Sequence, residues 1–143
     1  MNLTTFEDIF DPFLAKISDY DELPSVTEED FNSIVDRYLR SALAKFTNKG
    51  DIKADFKSRV FNNELDDYVI EVIASLLVVE WLTPQINNTQ LTKQAMTSKD
   101  YNLTSQRNHL TGLIQLRKTM KKEAAYLANR YSLLNTIEEN KNE

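Results

Sequence analysis

The sequence has no cysteine, two glycines, three prolines and one histidine among its 143 residues. The missing cysteines exclude disulfides, thiolate metal sites and cysteine nucleophiles. The lone histidine, His109, excludes a two-histidine metal site, and no nucleophile motif for a catalytic triad lies beside it. Gly50 and Gly112 are too far apart to form a phosphate-binding glycine loop. We therefore expect a protein that is not an enzyme and has no catalytic residue, cofactor or metal site.

The shortage of glycine and proline also argues against a β-sandwich or β-barrel, which need many tight turns. The length fits one domain whose core needs no disulfide or metal. Residues 1–8 lack the basic start and continuous apolar stretch of a signal peptide. The longest apolar run, Val69–Leu82, is shorter than the roughly 20 residues of a membrane span. We expect an all-α bundle of four to five helices, made in the cytoplasm without membrane insertion.

The net charge of −5 conceals opposite charges in the two ends of the chain. Residues 1–36 hold ten acids and a single base, Lys16, which is a balance of −9. Residues 81–137 hold eight bases against Asp100 and Glu123, which is a balance of +6. The two ends are therefore electrostatically complementary, and the N-terminal third of one copy is expected to face the C-terminal helix of its neighbour.

Apolar residues at three- and four-residue steps predict two amphipathic helices in the first third of the chain. The first covers about Thr4–Ser18 and is expected to kink or restart at Pro12, with Asp11 as the cap. The second begins at the near capping box Thr27–Asp30 and carries one apolar face from Phe31 to Phe46.

The centre of the chain contains a strongly apolar helix that runs from about Leu65 to Leu82. Apolar side chains on nearly every face predict neighbours on nearly every face. Pro84 is expected to stop this helix. The preceding stretch, Ile52–Leu65, is spaced too loosely to distinguish a short helix from a loop, and no structure is predicted there.

A last long helix is predicted from about Thr104 to Tyr131. Its seam alternates steps of three and four residues: Leu110, Leu113, Arg117, Met120, Ala124, Leu127 and Tyr131. Gly112 lies inside this helix, where it favours a close helix contact. The domain is thus expected to cover residues 1–131, followed by a C-terminal tail, residues 132–143, that becomes ordered only on partner binding.

Two charges stand inside apolar seams, and a buried charge needs a partner. We hypothesise that Glu80 and Arg117 form an ion pair within a subunit or across an interface. The alternative, in which each side chain reaches solvent along its own stem, stays open. The candidate residues for a subunit or partner interface are Glu80, Trp81, Arg117, Lys118, Lys121, Lys122, Tyr131, Leu133 and Leu134.

Trp81 and the basic run each allow two interpretations. The apolar neighbours of Trp81 favour core packing over ligand stacking. The run Arg117-Lys118 and Lys121-Lys122 could bind phosphates, but it also suits a solvated helix face that attracts an acidic neighbour. We prefer the second interpretation, because the overall charge is negative and no aromatic-interleaved basic motif accompanies the run.

Several stretches of the sequence carry a resemblance to a known family. They are Ile70-Glu71-Val72-Ile73-Ala74, Glu80-Trp81-Leu82-Thr83-Pro84-Gln85-Ile86, Thr97-Ser98-Lys99-Asp100-Tyr101-Asn102 and Ser105-Gln106-Arg107-Asn108-His109-Leu110, with Ile17-Ser18-Asp19-Tyr20 and Tyr38-Leu39-Arg40-Ser41-Ala42 in the N-terminal half. They resemble helical virion proteins of tailed bacteriophages that infect Gram-positive hosts. This family is assigned to the neck as head-to-tail connectors, and the likeness covers most of the chain.

The resemblance implies a virion structural protein of the neck, synthesised in the host cytoplasm. It implies a homo-oligomer, a dodecameric ring docked under the portal protein, with a downstream neck or tail protein as a further partner. DNA would pass through the ring without sequence specificity, and the segment Ser132–Glu143 would reach the portal. The residues alone leave an alternative, which is a small helical regulatory or nucleic-acid-binding protein that uses the basic C-terminal helix.

Overall fold

A computed structural model describes residues 2–17, 28–46, 51–95 and 103–141, with the side chains of 2–17, 32–46, 51–87 and 108–131. This part of the chain forms four helices and one short β-hairpin. The elements are α1 (Phe6–Ile17), α2 (Glu28–Lys45), β1 (Ala54–Asp55), β2 (Val60–Phe61), α3 (Asp67–Ala95) and α4 (Leu103–Lys141). The predicted all-α bundle is confirmed.

The first helix begins with a capping box formed by Thr5 and Asp8. The backbone N–H of Thr5 donates to the Asp8 carboxylate at 2.9 Å, and the N–H of Asp8 donates to Thr5 Oγ1 at 3.3 Å. This reciprocal capping box satisfies N–H groups that the first turn would otherwise leave unpaired. Helix α1 then runs through Pro12 without interruption. The predicted restart with Asp11 as its cap is therefore wrong.

Helix α3 also continues through a proline. It runs from Asp67 to Ala95, and Pro84 lies inside it, so the predicted stop at Pro84 is wrong. A proline inside a helix removes one backbone hydrogen bond and crowds the preceding turn. In that turn the Thr83 hydroxyl donates to the Val79 carbonyl at 2.9 Å, one residue before the Glu80 carbonyl that Pro84 leaves without its helical donor.

Helix α3 is the centre of the fold, because α1, α2 and α4 all pack against it. The prediction of neighbours on nearly every face is confirmed by consecutive buried residues that are at most 1% exposed: Val72, Ile73, Ala74 and Ser75, then Leu77 and Val78. The window Asp67–Asn87 is long and apolar enough to cross a membrane by length and composition alone. In this fold 61% of that window is buried, as in the core helix of a bundle.

Helices α3 and α4 are antiparallel neighbours. Arg130 of α4 lies over the ring of Tyr68 at the start of α3, whereas Glu123, earlier in α4, shares Lys16 with Glu71, which lies farther along α3. The predicted seam of α4 faces the core: Leu110, Leu113, Met120 and Ala124 are buried, and Arg117, Leu127 and Tyr131 are half-buried.

Helix α4 extends farther than predicted. It continues to Lys141 instead of ending near Tyr131. Since Arg130 lies level with the start of α3, the remaining turns of α4 extend about 16 Å past that point, at 1.5 Å per residue. Whether a partner orders this segment stays a prediction.

The stretch without a sequence prediction forms a β-hairpin that also holds the N-terminus. Strands β1 and β2 are antiparallel, with Ala54 opposite Phe61. The N-terminal segment lies along β2, where the Phe61 N–H donates to the Thr4 carbonyl at 2.8 Å. The side chain of Thr4 accepts from the Leu65 N–H at 2.8 Å, so this buried residue links the hairpin to the start of α3.

Replacing Gly112 with alanine is expected to stabilise the fold. The predicted close helix contact is wrong, because a Cβ atom at Gly112 would have no atom within 4 Å apart from its chain neighbours and the adjacent backbone of its own helix. Alanine in a helix interior is about 1 kcal/mol more favourable than glycine. The Gly112→Ala free energy of unfolding, measured by urea denaturation, is therefore expected to rise by about 1 kcal/mol. A decrease would reveal a contact at Gly112 that this fold does not contain.

Candidate assembly surface on helices α1 and α4

Lys16 of α1 forms ion pairs with acids of α3 and α4, and this pairing leaves the exposed charges of α1 and α4 with opposite signs. Its ammonium lies 2.9 Å from the Glu71 carboxylate on α3 and 3.3 Å from the Glu123 carboxylate on α4. Burial alone would lower the pKa of Lys16, but the hydrogen bonds and charges of Glu71 and Glu123 outweigh it and raise that pKa. Lys16 therefore stays charged at neutral pH, and its charge is used within the molecule.

The exposed charges of α1 are all acidic as a result. Glu7, Asp8 and Asp11 are exposed, and none of them has an ion pair among the described residues. The one base of α1, Lys16, is already paired. We call Glu7, Asp8 and Asp11 the acidic stripe.

Helix α4 shows the opposite arrangement. Its charged side chains within residues 108–131 are five bases and Glu123, which is paired with Lys16. Four of the bases, Lys118, Lys121, Lys122 and Arg130, are exposed and lack an ion-pair partner in the described part of the chain. We call these four residues the basic face, and its three lysines match predicted interface residues.

The predicted pairing of Glu80 with Arg117 inside one subunit is wrong. The Glu80 carboxylate forms its ion pair with Lys45, at the end of α2. The Glu80 side chain is 13% exposed and that of Lys45 is 61% exposed, so this pair lies at the edge of the core. Arg117 is half-buried and has no ion pair among the residues described here. A contact of Arg117 across a subunit interface stays a prediction.

A double-mutant cycle separates the two pairings of Glu80. We expect Lys45→Ala and Glu80→Ala to be coupled by about 0.5–1 kcal/mol in unfolding free energy, as is usual for a partly exposed pair. The matched cycle of Glu80→Ala with Arg117→Ala is expected to show additive effects. Coupling in the second cycle and none in the first would contradict the observed arrangement.

The other candidate residues have different environments. Trp81 is 7% exposed, and its ring meets that of Phe13 edge-on at 6.3 Å, so it belongs to the core of the monomer. Tyr131 is half-buried, with its ring 6.3 Å from Phe46 at the end of α2. Leu133 and Leu134 belong to the last turns of α4, and their side chains lie outside the described residues.

A cluster that sequence reasoning missed lies at the edge of the basic face. Arg130 donates from Nη1 to the Tyr126 hydroxyl at 3.2 Å, and its guanidinium carbon lies 5.7 Å from the centre of the Tyr68 ring. Tyr126 is 61% exposed and Tyr68 is 38% exposed. The hydrogen bond to Tyr126 and the interaction with Tyr68 raise the pKa of Arg130, which is always a cation. The four-residue spacing of Tyr126 and Arg130 was the available signal.

A groove of about 210 Å³ borders the opposite edge of the basic face. Val72 and Leu76 of α3 line it together with Ala124 and Ala128 of α4, and Lys45 and Lys121 add two cations. The small alanine side chains leave this depression between α2, α3 and α4. The basic face is therefore flanked by an apolar groove on one side and by the tyrosine cluster on the other.

The described side chains include no group of three histidine, aspartate or glutamate residues that could hold a metal ion. Comparisons with protein-family models, with curated proteins and with solved structures found no match to this chain.

Proposed function

We propose that this chain is a non-enzymatic connector of a bacteriophage neck, whose copies form a ring between the portal protein and the tail. The ring contact joins the acidic stripe of one copy to the basic face of the next. DNA passes through the ring without sequence specificity. The sequence resemblance is the basis for proposing a connector, and the oppositely charged surfaces of the fold support the ring contact.

The separation of charge between α1 and α4 is the observation that carries the proposal. Lys16 is shared by Glu71 and Glu123 inside the molecule, which leaves α1 with exposed unpaired acids and α4 with exposed unpaired bases. Two different, complementary faces on one chain favour a head-to-tail contact, and such contacts form a ring when the rotation from one copy to the next closes. Complementary charge also guides the orientation of the encounter and disfavours wrong contacts.

The length of α4 supports a second contact. Its last turns continue past the start of α3, and we assign them a contact with a second protein. In the proposed neck that protein is the portal, and Leu133 and Leu134 belong to this segment.

Zero-length crosslinking of mixed isotopic copies tests the ring contact. A carbodiimide joins lysine to carboxylate, and a mixture of ¹⁴N and ¹⁵N chains shows whether each link joins two copies. We expect links between copies from at least one of Lys118, Lys121 and Lys122 to Glu7 or Asp11. The link from Lys16 to Glu123, at 3.3 Å, is the internal control and must stay within one copy.

Two outcomes would contradict the proposed contact. One is a set of links between copies that omits the basic face, and the other is association that is insensitive to salt. Exposed charges are screened over about 3 Å near 1 M ionic strength, so high salt should dissociate the copies. Particles made by the phage or prophage that encodes the chain are expected to contain it, and its absence would contradict the neck assignment.

The basic face also keeps a second candidate function open, which is nucleic-acid binding. Three lysines, an arginine and the exposed Tyr126 on one helix could contact phosphates and stack on bases. A gel-shift titration with duplex and single-stranded DNA over a range of salt distinguishes the two functions. Tight, strongly salt-dependent DNA binding by a chain that stays monomeric would favour this second function.

A further inference from the structure

The cluster of Tyr68, Tyr126 and Arg130 has features of a binding site for a partner protein. Tyrosine and arginine are enriched among the interface residues that dominate binding energy. Tyr68 and Tyr126 are also two of the five large hydrophobic side chains that are exposed in the described part of the chain. Both of them contact the same guanidinium.

We propose that this cluster binds a carboxylate from the acidic stripe of a second copy of the chain, through the Arg130 guanidinium. This inference rests on the proposed ring contact and names the residue that dominates it. Of the basic face, Arg130 is the member whose side chain is held in position by two contacts within the molecule. Because its side chain is already held in place, Arg130 loses less conformational entropy on binding than a free side chain loses. This lowers the entropic cost of association.

The geometry of Arg130 favours a carboxylate. A guanidinium has five N–H donors in a planar fork, and one donor is used on the Tyr126 hydroxyl. No acid among the described residues forms an ion pair with Arg130, so its remaining donors can take a carboxylate in a bidentate contact. On association with a second copy, the flanking tyrosine rings shield such a contact from water and strengthen it.

The charges of the two surfaces favour the acidic stripe as the partner of Arg130. Glu7 and Asp11 are exposed carboxylates without an ion pair in the described chain, whereas Asp8 is partly used in the capping box. A helix with exposed acids and no free base matches a face with exposed bases and no free acid. Because both helices belong to the same chain, a second copy supplies the carboxylate.

Sedimentation equilibrium of the full chain and four variants tests the inference. We expect Arg130→Ala to weaken self-association about 30-fold and Arg130→Lys about fivefold, because lysine keeps the charge but loses the fork. Tyr126→Phe, which removes the hydroxyl that positions Arg130, is expected to weaken it about threefold. The matched control is Arg37→Ala on α2, an exposed arginine that should leave self-association within about twofold of wild type.

A charge swap identifies the carboxylate. Arg130→Glu should abolish association, and Glu7→Arg or Asp11→Arg in the same chain should restore it. Rescue by neither swap would overturn the inference, and so would equal behaviour of Arg130→Ala and Arg37→Ala. A loss of DNA binding without a loss of self-association in Arg130→Ala would also overturn it, in favour of a phosphate ligand.

The test distinguishes this inference from the proposed function. If the wild-type chain self-associates and crosslinks through its lysines while Arg130 variants behave like the control, the inference fails and the ring contact stands. If the wild-type chain is monomeric at about 1 mM, a concentration that detects contacts of about 4 kcal/mol, both fail.

Discussion

Reversal of the three lysines of the basic face is expected to abolish self-association. The variant Lys118→Glu, Lys121→Glu and Lys122→Glu places acids opposite the acidic stripe of the neighbouring copy. Like charges at an interface cost several kcal/mol in total, so we expect association to weaken at least about 100-fold at low salt. All three lysines are exposed and unpaired in the described chain, and the fold should be retained. Sedimentation velocity measures self-association, and circular dichroism measures whether the fold is retained.

A matched charge control is available on other elements of the fold. The variant Arg37→Glu, Lys53→Glu and Lys57→Glu changes the net charge by the same amount at exposed positions on α2 and the hairpin. It should associate nearly as well as wild type if the position of the charge matters. Equal losses in both variants would show a general effect of net charge and would contradict a specific contact at α4.

Replacing Arg59 with alanine is expected to cause the largest loss of stability among the variants considered. Arg59 donates from Nη1 to the Asp36 carboxylate at 2.6 Å, and it lies over the rings of Phe6 and Phe10 at 5.4 and 5.6 Å. It therefore ties the hairpin to α1 and α2. Its removal leaves Asp36 partly buried without its cation, which should cost about 2–3 kcal/mol, somewhat less than for a fully buried pair.

The pH dependence of this loss has a defined sign. Burial raises the pKa of Asp36, although the nearby Arg59 and Arg40 lower it in part. Without Arg59 the folded-state pKa rises further above the unfolded value. A raised carboxyl pKa penalises folding above that pKa, and the penalty disappears as pH falls through it. The stability difference between Arg59→Ala and wild type should therefore shrink on acidification, and Asp36→Asn should partly rescue the variant at neutral pH.

Replacing Arg59 with glycine tests the backbone conformation at this position. Arg59 has a φ of 60°, a left-handed conformation that costs a side-chain-bearing residue about 1–2 kcal/mol. We expect Arg59→Gly to be about 1 kcal/mol more stable than Arg59→Ala in urea denaturation, the reverse of the usual order for these two residues. If the glycine variant is the less stable, the left-handed turn is absent.

The helices could be predicted because each carries a repeated local signal. The seam of α4 and the apolar sequence of α3 give the burial of individual residues correctly, from Leu113 in the core to the exposed Lys118. These predictions depend on the spacing of residues along one helix. They do not require knowledge of where other helices lie.

The features that could not be predicted depend on contacts between distant segments. Arg59 occupies a left-handed position that glycine or asparagine usually marks, and its contacts with Asp36 and two phenylalanines come from α2 and α1. Glu80 needed a cation, but its pairing with Lys45 follows from the relative placement of α2 and α3. Pro84 is tolerated in a helix whose environment is set by tertiary packing, which local propensity does not report.

The candidate surface also combines features that local spacing predicts with features that depend on contacts between distant segments. The exposure of Lys118, Lys121 and Lys122 follows from their places outside the seam. That Lys16 pairs with both Glu71 and Glu123, and so leaves no unpaired acid among the described side chains of α4, required the packing of α1 against α3 and α4. The charge asymmetry of the sequence thus becomes a pair of oppositely charged surfaces only in the folded chain.

Mixing two charge-reversed chains tests the proposed head-to-tail contact most directly. One chain carries Lys118→Glu, Lys121→Glu, Lys122→Glu and Arg130→Glu, and the other carries Glu7→Lys and Asp11→Lys. Each chain alone presents like charges at both faces and should remain monomeric. Mixed together, they should form an oligomer in which the two chains alternate, which native mass spectrometry detects as equal numbers of each. A mixture that stays monomeric, or a single variant that assembles alone as well as wild type, would contradict the account.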